Sequence, residues 1–230
     1  MDSKVVNKAI KSQIWSFLRE EGFSQFSSRN AWRYKQDRIE VINFQSFNSY
    51  LAGLIGCTTF SLSVNLGIYF TIIPNQFTNN PVKEKNGWLL PEEFKCIFRK
   101  QLIKSLYQDE INDRQVWYVD ALGSNIELVM DDVKRILYSD GIKWFEKYSQ
   151  MDAVLNTLLN EEEKLFDTWG FGRKASPIRN FAGGYIAYAL QKYDLAADMI
   201  EKAINSGCFK AIEERLQQDY KCDKEMITLK

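Results

Sequence analysis

Arginine and aromatic side chains crowd one short stretch of the chain: Arg29, Trp32, Arg33, Lys35 and Arg38. Guanidinium groups take phosphate or carboxylate in a bidentate grip, and an indole offers a stacking face. The stretch reads as a patch for an anion or a partner, or else as an edge strand guarded by charge with Trp32 packed on a helix. A second set, Asn43, Gln45, Ser61, Ser63, Asn65 and Tyr69, falls on alternate positions of two β-prone segments. Its members share a sheet face, which is either a binding surface or a solvated one. Arg99 and Asp120 are candidates to pair there. Trp32, Trp88 and Trp117 are candidate anchors for a partner, since interface energy concentrates in Trp, Tyr and Arg. The binding set is therefore Arg29, Trp32, Arg33, Asn43, Gln45, Asn65, Tyr69, Arg99 and Trp117.

What is missing narrows the chemistry. The sequence has no histidine, so Ser-His and Cys-His dyads, an HExxH zinc helix and an imidazole base are excluded. A catalyst would have to use carboxylates, lysine, tyrosine or a carboxylate-held metal. No catalytic residue, metal or cofactor is expected. The carboxylates Asp131-Asp132 and Glu161-Glu162-Glu163 are adjacent, and neighbours on a helix diverge by about 100°; they read as solvated faces. Gly170-Phe171-Gly172 lacks the GxxxxGK[ST] spacing of a phosphate loop and reads as a hinge. Cys57, Cys96, Cys208 and Cys222 form no CxxC pair and read as reduced thiols. The 30 basic and 30 acidic residues balance, so a nucleic-acid partner is not expected. No run is apolar enough for a bilayer, and MDSKVVNKAIKSQ has no secretory h-region; a cytoplasmic location is expected.

The elements that must position these residues are legible from periodicity. From Thr58 to Ile73, Phe60, Leu62, Val64, Leu66, Ile68 and Phe70 alternate with smaller or polar residues. That is the period of a strand with one apolar face, long enough for roughly 40 Å. Residues 2–20 read as an amphipathic helix ended by Gly22. Trp32–Lys35 opens a first strand, Gln36-Asp37 turns, and Arg38–Gln45 returns with apolar residues on both parities. Ser46–Cys57 reads as a connection, and Asn75–Asn86 as a loop with a mobile tip. Residues 91–107 fit helix or strand, and Val116–Ala121 reads as a strand. Helices follow at 126–138, broken by Gly141, then around Trp144–Tyr148 and at 152–159. Pro177 opens a helix to 191, and others span 194–206 and 208–220.

Laid end to end, several short motifs form a pattern. They are Gly22-Phe23, Asn43-Phe44-Gln45, Asn65-Leu66-Gly67-Ile68, Cys96-Ile97-Phe98-Arg99, Trp117-Tyr118 and Gly141-Ile142-Lys143-Trp144-Phe145. Residues 1–160 thereby resemble a bacterial family of domains of unknown function with N-F-Q and N-L-G-hydrophobic strand motifs. The resemblance implies an α+β domain with an antiparallel sheet, and a strand around Cys96–Leu102. It brings no catalytic residues, and it implies bacterial conflict or stand-alone cytosolic roles. Gly184, Tyr193, Ala196, Ile200 and Ala203 resemble a single tetratricopeptide-like hairpin (177–206), too little for a repeat array.

The expected architecture is α+β. An antiparallel sheet with helices on one face (1–160) is followed by a linker (161–176), a helical hairpin extension (177–222) and a tail (223–230). The expected function is non-enzymatic protein–protein recognition, immunity- or defence-associated. The alternative is a histidine-free enzyme or a nucleotide- or anion-binding module on the Arg/Asn/Gln face. The expected partner is another protein, with no membrane.

Overall fold

The computed structural model describes residues 3–75, 80–164 and 166–228. Helix α1 (Ser3–Ala9) runs through a π-helical turn (Ile10–Ile14) into α2 (Trp15–Glu20). Strands β1 (Gln25–Phe26), β2 (Asn30–Tyr34) and β3 (Arg38–Ser46) follow, then a short helix α3 (Ser49–Ile55) and the central strand β4 (Leu62–Phe70). A small hairpin, β5 (Lys83–Lys85) and β6 (Trp88–Leu90), precedes a 3₁₀ turn (Glu93–Lys95) and β7 (Phe98–Gln101). Helices α4 (Ile126–Ile136), α5 (Ile142–Lys147) and α6 (Met151–Asn160) lead to a hairpin of α7 (Pro177–Ala189) and α8 (Tyr193–Asn205), and α9 (Glu213–Thr228) closes the described chain. Among the described residues no helix is long and apolar enough to cross a membrane.

The main sheet is antiparallel throughout, in the order β1-β2-β3-β4-β7. Strand β4 behaves as its alternation requires. Leu62, Val64, Leu66, Ile68 and Phe70 are buried in a hydrophobic cluster shared with Ile42 and Phe44 of β3 and Phe98 of β7. Helical side chains from Val6 to Leu216 complete that cluster. Phe171, between the sheet-packed helices and the hairpin, belongs to it too. The other sheet face holds a small second cluster, Trp32, Ile39, Val41 and Cys96, covered by Tyr34, Tyr69 and Leu90. Both parities of β3 are thus buried without a bulge, and every residue from Arg38 to Ser46 pairs with β4.

Several sequence expectations give way to longer-range contacts. The strand expected at Val116–Ala121 is a single bridge, Leu62↔Trp117. Side chains replace the ladder there: Thr58 Oγ1 donates to the Val119 carbonyl at 2.5 Å, and Ser61 Oγ accepts from the Val119 amide at 3.1 Å. The Ser46–Cys57 connection contains α3, whose first turn is capped by Asn48 Oδ1 accepting from Leu51 N. Gly141 does not break the chain into separate helices; a π-helical turn (Leu137–Gly141) joins α4 to α5. The expected loop 75–86 is partly strand β5, and its tip, 76–79, lies outside the described residues. The Gly170–Gly172 stretch is pinned rather than free: Glu163 Oε1 accepts from both glycine amides, at 2.6 and 2.8 Å, and Phe171 is fully buried. Helix α9 runs through residues expected to be tail, because Leu216 and Asp223 are buried against the hairpin.

Asp132, expected on a solvated face, is buried. Its carboxylate accepts from the Ser105 and Leu106 amides, each at 3.1 Å, from the Ser105 hydroxyl at 2.5 Å, and from Trp117 Nε1 at 2.9 Å. Burial alone would raise its pKa, but the bonds from Ser105, Trp117 and Leu106 outweigh that and hold the carboxyl below its usual 3.8. A depressed folded value means that the stabilisation is complete above the unfolded value and is lost as pH falls through the folded one. Asp132→Asn is therefore expected to lower the urea midpoint at pH 7 and to weaken the loss of stability below about pH 4. An unchanged midpoint across both pH values would contradict that role.

Gly67 is set by a close approach. A Cβ there would stand 2.6 Å from Cys96 Sγ and 2.8 Å from Cys96 Cβ. Overpacking of this kind costs about 1–3 kcal/mol. Gly67→Ala is expected to lose that much in urea unfolding, and Cys96→Gly in the same chain to recover part of it.

Candidate functional site

Strand register gathers the amide side chains into one row. Asn30 of β2 pairs with Asn43 of β3, Asn43 with Asn65 of β4, and Asn65 with Gln101 of β7. Residues opposite one another on antiparallel strands project to the same face. The row therefore crosses four strands, with Gln45 and Ser63 beside it. Asn43 Nδ2 donates to Asn30 Oδ1 at 2.8 Å, and Asn65 Nδ2 donates to Gln45 Oε1 at 3.0 Å. Asn43 is half-buried and Gln45 exposed, so polar groups of the row remain open to solvent.

The next cross-strand row is Trp32, Val41, Gly67 and Arg99, and beyond it lie Tyr34, Ile39 and Tyr69. Segment 88–96 covers these rows. Trp32 Nε1 donates to the Pro91 carbonyl at 2.9 Å, and Tyr34 OH donates to the Leu89 carbonyl at 2.8 Å. Tyr34 packs against Trp88 with ring centroids 4.5 Å apart and the ring planes tilted by 53°. Burial pushes the Tyr34 phenol up to about 12 and raises that of Tyr69. Arg99 is neutralised by Glu93, donating from Nε at 2.6 Å and from NH2 at 3.0 Å, and its guanidinium lies 3.9 Å from the Trp169 ring centroid. It does not pair with Asp120. The Ser124 hydroxyl, together with the Leu122, Ser124 and Asn125 amides, holds Asp120 down to about 2.

The covering segment leaves large apolar side chains in water. Trp88 is 42 % exposed, Leu89 37 % and Phe94 54 %. The short helix α3, which follows the Gln45 end of β3, exposes Tyr50, Leu51 and Leu54.

Of the residues singled out from the sequence, Trp32, Asn43, Gln45, Asn65, Tyr69 and Arg99 share this face. Arg33 and Trp117 do not. Arg33 shares its parity with Ala31, so it enters the helical side. There it donates to Glu40 Oε2 and, at 2.7 Å, to the Glu21 carbonyl, and its guanidinium lies 4.9 Å from the Phe23 ring and 5.5 Å from that of Phe145. Arg38 joins the same carboxylate, donating to Glu40 Oε1 at 3.2 Å. Trp117 is fully buried, bonded to Asp132. Arg29, one residue before β2, is half-buried; burial lowers its pKa, and its NH1 has no hydrogen-bond partner. The basic cluster is thus split between two faces and a strand end.

Asn30 and Gln101 belong to the row but escape sequence reading. Asn30 has the parity of Trp32, which is the one local sign; Gln101 is placed only by its pairing with Asn65. Among the described residues no group of three or more His, Cys, Asp or Glu side chains is placed to share a metal ion.

Glu40 is 1 % exposed and sits between two arginines. Removing one partner of a buried charge cluster costs about 3–5 kcal/mol. Glu40→Ala is expected to lose that much in urea unfolding, while Asn43→Ala on the open face should cost under about 1 kcal/mol. Equal losses would mean that the two faces are not divided into a buried charged side and an open polar one.

No curated protein and no solved structure matches the chain. The sequence profile described as "Domain of unknown function (DUF4304)" matches residues 14–147, more than half of the chain and all of the main sheet. The chain belongs to the DUF4304 family of domains of unknown function.

Proposed function

We propose that the chain is a non-enzymatic binding protein of the bacterial cytosol that acts by protein–protein recognition, in a defence- or immunity-associated setting. The observation behind this reading is the exposed trio Trp88, Leu89 and Phe94 on a segment tied down at both ends. Trp32 and Tyr34 bond its carbonyls, and Glu92 is held by Lys83 at 2.8 Å and Lys95 at 2.9 Å. Apolar side chains on an already ordered segment need little further ordering on binding, which removes one cost of association. The amide row alongside supplies a hydrogen-bonding rim around an apolar centre, the usual anatomy of an interface. The hairpin α7–α8, if read as tetratricopeptide-like, would add a second contact surface.

The rival reading, a histidine-free enzyme or anion-binding module, needs Arg29, Arg33, Asn65 and Arg99 to converge. Arg33 faces the opposite side of the sheet and Arg99 is paired with Glu93, so these groups do not converge.

Photocrosslinking in the native host tests the proposal. A photoreactive amino acid at position 88 or 94 is expected to trap one discrete protein. The same group at exposed Leu122 should trap none. Trp88→Ala with Phe94→Ser should weaken binding of the trapped protein by at least about thirtyfold, the scale of an interface hot spot, at an unchanged urea midpoint. Equal trapping at Leu122, or full binding by the double variant, would rule out this surface.

A further inference from the structure

The C-terminal helices enclose a cavity that the protein-recognition reading does not use. Its volume is about 490 Å³, and it lies between α7 and α9 with Ile200 of α8 and Ile72 at its walls. The size falls within the roughly 300–1,000 Å³ of small-molecule sites. Its origin is in the sequence. Gly183 and Gly184 let α8 approach α7 closely: a Cβ at Gly183 would stand 2.1 Å from Met199 Cε, and one at Gly184 2.6 Å from Ile200 Cδ1. Helix α9 then closes over the pair, fastened where Tyr185 OH donates to Asp219 Oδ2 at 2.5 Å.

Most of the wall is apolar or aromatic: Ile72, Gly184, Tyr185, Tyr188, Ala189 and Ile200. The exception is one turn of α9. Asp219 and Asp223 are four residues apart, so both carboxylates face the cavity from one side of the helix. Asp219 is already engaged by Tyr185 and, at 3.6 Å, by Arg215 Nε. Asp223 is not. It is 3 % exposed, lines the cavity, and has no hydrogen-bond or ion-pair partner among the described residues. A buried carboxylate without a partner is costly, and such groups call for a missing partner.

We propose that this cavity binds a small organic cation, a primary ammonium on an aliphatic or aromatic body, with its charge on Asp223 and its body along Tyr188, Ile200 and Ile72. A carboxylate in an enclosed apolar site favours a charge-assisted hydrogen bond from an ammonium. The faces of Tyr185 and Tyr188 add attraction for a cation. The donor set does not suit a divalent metal, which takes six or more oxygen ligands or keeps several waters. Tyr188 and Ala189 are exposed and form the mouth.

Protonation of Asp223 supplies a second handle. Burial first, and the Asp219 charge second, push its carboxyl up to about 6. The other ionisable groups lining the cavity are Asp219, Arg215 and Cys222 on its own helix and Tyr185 and Tyr188 on α7, both phenols being raised above their usual range. Ile200 of α8 and Ile72 contribute only apolar surface. An ammonium needs the ionised acid, so its affinity should fall as pH drops below about 6. The alkylammonium itself keeps its proton across that range.

Hexylammonium, 1-hexanol and hexanoate distinguish the chemistry, by calorimetry with saturation-transfer NMR on the full chain at pH 7.5. Hexylammonium is expected to bind at least about tenfold tighter than 1-hexanol, and hexanoate not at all. Asp223→Asn should weaken the amine by at least about tenfold and leave 1-hexanol unchanged. Amine affinity should drop about tenfold between pH 7.5 and 5 in the native chain and stay level in Asp223→Asn. That variant should fold: the raised carboxyl value means that ionised Asp223 opposes folding at pH 7.5, so its thermal midpoint should equal or exceed the native one. Ala189→Trp at the mouth keeps Asp223 and should abolish binding of both amine and alcohol. The proposal is overturned by equal or tighter binding of 1-hexanol, by full amine binding in either variant, or by no amine binding at roughly 10 mM.

Discussion

The apolar face of β4 is the constraint on which the other elements depend. Its even-numbered side chains, from Leu62 to Phe70, must leave water together, because the strand pairs on both edges and cannot rotate away. Covering them takes α1–α2, α4–α5, Phe98 of β7 and Phe171. The opposite face is then left with whatever the odd positions hold. In β4 these are Ser63, Asn65, Gly67 and Tyr69. The lack of a side chain at Gly67 lets Cys96 and the 3₁₀ turn lie directly on the sheet. That contact divides the odd face into a covered half and an open amide row.

Charge is sorted by the same division. On the helical side, Glu40 joins Arg33 and Arg38, and through them reaches the end of α2 and the Ser149 carbonyl. These groups are buried and bonded to one another, so they hold the sheet to its helices. On the other side, Arg99 is matched by Glu93, and the open amides are neutral. The surface proposed for recognition is one of neutral amides edged by Trp88, Leu89 and Phe94. It lacks the converging unpaired cations of an anion site.

The C-terminal helices lie beyond the matched residues 14–147 yet share the hydrophobic cluster, through Phe181, Ile186, Ile200 and Leu216. The family domain and the added helices are therefore one packed body with two distinct surfaces. One is the sheet face, built by strand register. The other is the cavity, built by glycine-mediated helix approach and lined by Asp223, which has no hydrogen-bond or ion-pair partner among the described residues.

Local periodicity determined a good deal of this protein from the sequence alone. The buried parity of β4, the opening amphipathic helix, the Gln36-Asp37 turn and the α7–α8 hairpin all follow from side-chain spacing and stop signals within a few residues. Asn43, Gln45 and Asn65 were legible as one face for the same reason. Tertiary structure decided the rest, because it depends on partners far away in the chain. Arg33 looked like its neighbour Trp32 until pairing placed it beside Glu40. Trp117 read as a strand residue, but its indole is claimed by Asp132. Gln101 joined the amide row only through the β4–β7 register. Asp223 read as part of a charged tail, and only the packing of α9 on the hairpin buries it.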